Sequence, residues 1–279
     1  MLHNKLFIFD IETIPDTDVV KNLTGSNTTD IQKLREELEQ YHIDISGGNP
    51  FPRQPFHKVV AISFVEVDIE RERDGTENYI IQDIRSGGQE NSTEEELIKG
   101  FFSYTSKIFP RFVSYNGRTF DMPVLKYRAM KYGVPVPFLY KSGDKWNNYS
   151  QRYSLDWHCD LLEAFSDFGA SARCKMNEVC SILGIPGKIG VDGSQVVELY
   201  DDNKIKEIRD YCETDVINTY LLYLNFQLHS GNLTKDNFIH CNKDLINYLN
   251  SFKSDNTKKH FNEFLQEWKK VDTMNLFNN

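Results

Sequence analysis

The chain has 279 residues, 39% hydrophobic and 26% charged, with a formal net charge of −9, which is the composition of a soluble globular protein long enough for one large core with an appendage. No apolar run approaches the ~20 residues that span a bilayer, and the start, MLHNKLFIFDIET, turns acidic too soon for a signal peptide, so no membrane role is expected. The five cysteines, Cys159, Cys174, Cys180, Cys212 and Cys241, are odd in number and lack C-x-x-C spacing, which argues against a disulfide framework or a zinc site and for a reducing, cytoplasmic location.

Lys5–Phe9 reads as a first strand, Lys58–Val67 as a second and Asn78–Ile84 as a third, with the charged tip DIERERDGTEN between the last two. The long insertion before the second strand, about residues 15–56, holds the amphipathic helix DIQKLREELEQYH and then the breaker-rich SGGNPFPRQPF, a candidate flap over a site. STEEELIKGFFSYTSK opens like a capping box, with Ser or Thr followed three residues later by Glu. RFVSYNG is a short strand turning at Asn116-Gly117, and FDMPVLKYRAMKYG is a helix stopped by Gly133. SLDWHCDLLEAFSDF and KMNEVCSILG supply a short strand and two helices, and the glycine-rich IPGKIGVDGSQ follows. A long helix runs from about Lys204 to His229, and amphipathic helices near Lys235–Phe252 and Lys258–Val271 close the chain. Strands first, then alternating strand and helix, predict an α/β fold with a mixed sheet and helices on its faces. Pairing RFVSY parallel to the first strand brings Asn116 and its turn close to Asp10.

Three separated segments then present acids at the ends of apolar elements. Asp10 and Glu12 in LFIFDIETIPD are two apart, so a strand projects both to one face, where they repel. Asp121 in YNGRTFDMP follows the strand-to-helix turn, with Pro123 in the helix's first turn. Asp215 in YCETDVINTYLLYL lies on a helix that continues almost wholly hydrophobic, where an ionised acid is costly without a partner. No single Lys or Arg occurs in these motifs at a spacing that pairs with all four, so a hard divalent cation, Mg²⁺ or Mn²⁺, is the expected counter-charge; two such ions can clamp the attacking and leaving oxygens of a phosphoryl displacement. Tyr211, one helical turn before Asp215, shares its face. With a free phenol titrating near ~10, it is suited to position a water rather than to deprotonate it. Taken singly, D-x-E ends many strands, Asp121 fits a helix cap and Tyr-x-x-x-Asp is commonplace. Their occurrence together in this order is far more specific.

FDIET, YNGRTFDMP and YCETD resemble the three motifs of the DEDD superfamily of 3′ to 5′ exonucleases in its tyrosine variant. HCDLLEAFSDFGA and GIPGKIGVDGSQV narrow the resemblance to the stand-alone bacterial group similar to the proofreading domain of family-B DNA polymerases. The resemblance implies a ribonuclease H-like domain over residues 1–231, with residues 232–279 a helical extension packed on it. It implies that Asp10, Glu12 and Asp215 hold one metal ion, that Asp10 bridges to a second, that Asp121 binds the second directly or through water, and that Tyr211 orients the attacking water. The activity implied is release of 5′-mononucleotides from single-stranded nucleic acid or the 3′ ends of duplexes, with DNA favoured; an exoribonuclease, an endonuclease and a non-catalytic nucleic-acid binder are the alternatives. The chain lacks room for a polymerase, and protein partners are not indicated.

Beyond that core, Asn116 is first a turn residue and second a contact for the terminal nucleotide. Phe120 fits a core position, with base stacking as its functional reading. Lys188 in its glycine-rich loop suits a phosphate contact or a solvated loop equally. Asp160 fits either the acidic site or a helix N-terminus, and His57 and His158 read as structural. Residues 107–190 carry 12 Lys/Arg against 7 Asp/Glu, whereas residues 1–106 carry 10 against 20 and residues 191–279 carry 10 against 14. A basic middle between acidic flanks is equally a surface fluctuation or a strand-tracking face.

Overall fold

The computed structural model describes residues 3–190, 193–274 and 276–277; Val191 and Asp192 of the glycine-rich loop lie outside the described residues. Strand β1, Lys5–Pro15, is covered on both faces, in keeping with the unbroken apolar run of residues 6–9. It pairs antiparallel with β2, His57–Arg71, which pairs antiparallel with β3, Glu77–Ser86. On its other side β1 runs parallel to β4, Arg111–Ser114, in the register Leu6↔Arg111, Phe7↔Phe112, Ile8↔Val113, and β4 runs parallel to β5, His158–Asp160. The sheet order is therefore β3-β2-β1-β4-β5, a mixed sheet of the ribonuclease H-like α/β class with helices on both faces. β1 does not stop at Phe9, as its hydrophobic run suggests. The ladder with β2 continues to Pro15↔His57 through a register shift between Glu12 and Thr13, so both acids lie inside the strand.

The insertion contains two helices rather than one. Asp16 caps α1, Thr17–Thr24, by accepting from Asp18 N, and Asp30 caps α2, Ile31–Ser46, by accepting from Gln32 N and Lys33 N. They close on a small core of Val20, Leu34 and Leu38, with Leu23 and Phe56 against it. The bidentate pair of Arg35 with Asp201, at 2.6 and 2.8 Å, ties this unit to the rest of the chain.

Helix α3, Glu94–Ile108, begins with the expected capping box, formed by Thr93 and Glu96. Helix α4, Asp121–Lys131, ends before Gly133, whose φ of 63° explains the glycine. The short helices α5, Pro137–Lys141, and α6, Leu161–Phe165, are followed by α7, Met176–Leu183, and α8, Val196–Asp201. Then come α9, Ile205–His229, α10, Lys235–Ser251, and α11, Lys259–Val271.

Alternation along β1 sorts two cores. Phe7, Phe9 and Ile11 join Phe64, Phe101, Phe112 and Leu125 on the face of α3 and α4. Leu6 and Ile8 join Val65, Val113, Val216 and Tyr220, together with Phe238, Phe264 and Trp268 from the last two helices, on the face of α9. Helix α10 also covers the outer edge of β3: Ile81 N donates to Asp244 Oδ2 at 2.9 Å and Ile84 N to the Tyr248 hydroxyl at 2.9 Å, which removes an open strand edge. Beneath α4, buried Arg128 donates to Asp16 Oδ2 at 2.6 Å and to Glu94, whose other oxygen accepts from Val59 N at 2.6 Å. Burial works against ionising Asp16, but Lys131 and Arg128 outweigh it and hold the carboxyl below its usual range.

Candidate active site

Because Asp10 and Glu12 share the parity of Leu6 and Ile8, β1 turns both toward α9. The contact is direct: Cys212 Sγ on α9 lies 3.6 Å from Asp10 O and 3.8 Å from Asp10 Oδ2. Tyr211 and Asp215, one turn apart and both buried, share that face. The third segment arrives through β4, whose parallel pairing with β1 brings the YNG turn and α4 to the same end of the sheet. Asn116 adopts φ 69° in that turn, a left-handed backbone that Asn tolerates. At Gly117 a Cβ atom would stand 2.6 Å from the Ser114 side chain and 3.3 Å from Asp121 Oδ2, so the bend admits only glycine.

Asp121 does not serve as the N-cap of α4. Phe120 occupies that position without a side-chain bond, and Asp121 Oδ1 instead accepts from Ile11 N at 3.1 Å, the amide between Asp10 and Glu12. This bond ties the second motif to the first. Asp10, Glu12, Asn116, Lys188, Tyr211 and Asp215 line one cleft of about 600 Å³, with Asp121 buried behind them.

Burial and the carboxylates of Asp121, Glu12 and Asp215 push the Asp10 carboxyl well above its usual range. Burial and Asp215 do the same to Glu12. Asp121 is pushed up to about 7, chiefly by burial and despite the backbone amides that favour its ionised form. The Tyr211 phenol is raised by burial and by Asp215, Glu12 and Asp10, so at neutral pH it is a hydrogen-bond donor and not a base. Burial followed by Asp10 and Glu12 likewise keeps the Cys212 thiol protonated, which leaves the carboxylates as the anionic donors.

Lys188 reaches the acidic motifs from the glycine-rich loop. Its ammonium hydrogen-bonds the Tyr211 hydroxyl, lies 4.9 Å from that ring's centroid and stands 3.2 Å from Asp215 Oδ2. Burial lowers its pKa, but Asp215, Asp10 and Glu12 outweigh burial and lift it. A lysine outside the acidic motifs thus supplies positive charge that the motifs themselves lack. Lys188 brings one ammonium to a cleft where four carboxylates converge, and an all-oxygen anionic donor set fits hard divalent cations such as Mg²⁺ or Mn²⁺.

Other candidates are placed elsewhere. The Phe120 ring lies 4.8 Å from His57 and 5.9 Å from Phe51, at the periphery of the core and outside the residues lining the cleft. Asp160 is the N-cap of α6 and also accepts from Asn116 N and Arg118 N, so it fixes the YNG turn from behind. His57 Nε2 donates to Pro52 O at 2.8 Å while Nδ1 accepts from the Thr13 hydroxyl at 2.9 Å. His158 Nε2 bonds Ser114 Oγ at 2.8 Å; both rings are buried and structural.

Sequence reasoning passed over Arg173, Lys175 and Asn177, which also line the cleft. For Arg173 and Lys175 the signal was the cationic surplus of residues 107–190; Asn177 gave none. A second group, Asp210, Glu213 and His260, brings its potential ligand atoms within 4.8 Å of one another. Lys206 and Lys258 already neutralise its carboxylates at 2.5 and 2.6 Å, and His260 Nε2 hydrogen-bonds Glu213 Oε2 at 2.8 Å.

Residues 49–268 match the model of a family described as predicted 3′-5′ exonuclease related to the exonuclease domain of PolB. No curated protein matches the chain. Asp121, Tyr211 and Asp215 fall within the matched span, while Asp10 and Glu12 precede it and reach the site through the β1 pairing.

Proposed function

Because the chain belongs to the family of predicted 3′-5′ exonucleases related to the exonuclease domain of PolB, we propose that it is a metal-dependent hydrolase that releases 5′-mononucleotides from the 3′ end of a nucleic acid strand, with single-stranded DNA as the preferred substrate. The observation that carries this reading is the convergence of Asp10, Glu12, Asp121, Asp215 and Tyr211, from three distant segments, at one cleft. Asp10, Glu12 and Asp215 would hold one divalent cation, and Asp10 with Asp121 a second. Two such ions supply Lewis-acid stabilisation of the attacking and departing oxygens of a phosphodiester displacement.

The chain's own groups do the positioning. Tyr211, protonated at neutral pH, donates a hydrogen bond that aims the attacking water. Lys188, beside Asp215, orients that carboxylate and offers its ammonium to a phosphate oxygen entering the cleft. Asn116, fixed by its left-handed turn and by Asp160, presents its amide edge at the cleft wall for the terminal nucleotide.

The test is a 5′-labelled single strand incubated with Mg²⁺ or Mn²⁺. A ladder shortening from the 3′ end, with mononucleotide product, is expected; a chelator stops it, and Asp10→Ala slows it by on the order of 10³-fold or more without loss of fold. A strand that stays intact with abundant protein and either metal overturns the reading. A circular strand cut as fast as a linear one replaces it with an endonuclease, and matched RNA and DNA strands decide the sugar preference.

A further inference from the structure

Two further cavities share a wall residue with the carboxylate cleft, and they differ in charge. The one reached past Tyr211, about 350 Å³, presents Glu207 and Glu263 against Lys259, with Asp210 already paired to Lys206. The other, about 510 Å³ and reached past Arg173, presents Arg118, Lys126, Arg152 and Arg173 against the single carboxylate of Glu163. Arg152 and Arg173 both bind that one buried carboxylate. Among the described residues neither Arg118 nor Lys126 has a carboxylate within ion-pair distance, and Lys126 is held below its ordinary pKa by burial and by Arg118. A polyanion leaving the cleft is therefore repelled on one side and met by cations lacking counter-charge on the other. Two exposed aromatic rings stand beside cations of this cavity: Lys126 Nζ is 5.4 Å from the Tyr140 centroid, and the guanidinium of Arg152, whose Nε is paired with Glu163, is 5.9 Å from that of Tyr153. Cations interleaved with exposed rings are the elements of a sequence-tolerant single-strand platform.

We propose that a strand with its 3′ end in the carboxylate cleft leaves past Arg173 and lays the phosphates of its preceding nucleotides across the cavity walled by Arg118, Lys126 and Arg152, with Tyr140 and Tyr153 as stacking surfaces. The inference rests on the exonuclease reading for where the 3′ end lies. It adds the direction of the strand and residues that recognise several nucleotides at once. It also gathers Arg118, Lys126, Arg152, Arg173, Lys175 and Lys188, half of the cations of the basic middle segment, along two adjoining cavities.

The test uses the Asp10→Ala protein with Mg²⁺, in which the strand survives, and fluorescence anisotropy of oligothymidylates of about ten and about three nucleotides. Adding Lys126→Ala and Arg152→Ala is expected to weaken the longer strand about 10-fold and the shorter one less than about 2-fold. It should also flatten the dependence of log affinity on log salt by about 1.4, the loss of two phosphate contacts on a single strand. Should the double substitution impair folding, photocrosslinking on the Asp10→Ala protein decides instead: a strand with 4-thiothymine a few nucleotides from its 3′ end should mark Tyr140 or Tyr153. Unchanged affinity and salt slope, or crosslinks confined to Lys259 and Glu263, overturn the path. If the native protein shortens the strand in that case, the exonuclease reading survives. If the native protein cleaves nothing yet slope and crosslinks behave as expected, the path stands and the exonuclease reading falls.

Discussion

Glu12 on β1 and Glu213 on α9 are both buried glutamates, yet their carboxyls are driven in opposite directions. Glu213 accepts from Ser86 N and Ser86 Oγ at 2.9 Å, from Lys258 at 2.6 Å and from His260 at 2.8 Å. Burial would raise its pKa, but His260 and Lys258 outweigh burial and draw it down to about 2. Glu12 faces Asp215 and Asp121 with Lys188 in partial relief, and is pushed well above its range. Burial is common to both, so the neighbours decide. The Glu213 network fastens α9 to β3 and the C-terminal helices; the cleft keeps its repulsion until something cationic enters.

The sharpest way to break this contrast is Glu213→Ala, which leaves Lys258, His260 and the Ser86 amide without their acceptor. A loss of about 3–5 kcal/mol in urea denaturation at pH 7 is expected. Because the folded pKa is depressed, Glu213's contribution is present above its unfolded value of about 4.5 and is lost as pH falls toward about 2, so native and variant stabilities should converge there. A loss under about 1 kcal/mol would erase the contrast.

Next is Asp121→Asn in metal-free protein, where the sign reverses. Its folded pKa of about 7 lies above the unfolded value of 3.8, so the ionised carboxyl is destabilising and the penalty is relieved as pH falls through that window. The substitution should raise Tm by on the order of 5 °C at pH 8 and by nothing near pH 4. Saturating Mg²⁺ should cancel the gain, because the native carboxylate then has a counter-charge. The smallest effect is expected for Arg35→Ala: the Asp201 side chain is 46% exposed, so the pair should contribute below about 1 kcal/mol in the same denaturation assay.

Local periodicity made the acidic half of the cleft legible. The two-residue spacing of Asp10 and Glu12 puts them on one strand face, and the four-residue spacing of Tyr211 and Asp215 puts them on one helix face, whatever the rest of the chain does. Glycine at position 117 announced the turn that carries Asp121. Lys188 was a candidate but its partners were not legible, because a glycine-rich loop has no period from which to read a direction. Glu213 gave no signal, since Ser86, Lys258 and His260 are far from it in sequence and meet it only after the sheet and α11 are placed. Helix α1 was missed for a local reason: Asp16 caps only eight residues, too few for an amphipathic pattern to emerge from the insertion.

The central position of β1 in the sheet has a consequence for synthesis. A ribosome delivers Asp10 and Glu12 first, and β2 and β4 can close around them while translation continues. Asp215 is withheld until α9 has left the exit tunnel. A nascent chain, or a fragment truncated before α9, therefore carries Asp10, Glu12 and Asp121 without Asp215 or Tyr211, and whatever chemistry that cleft performs waits for α9.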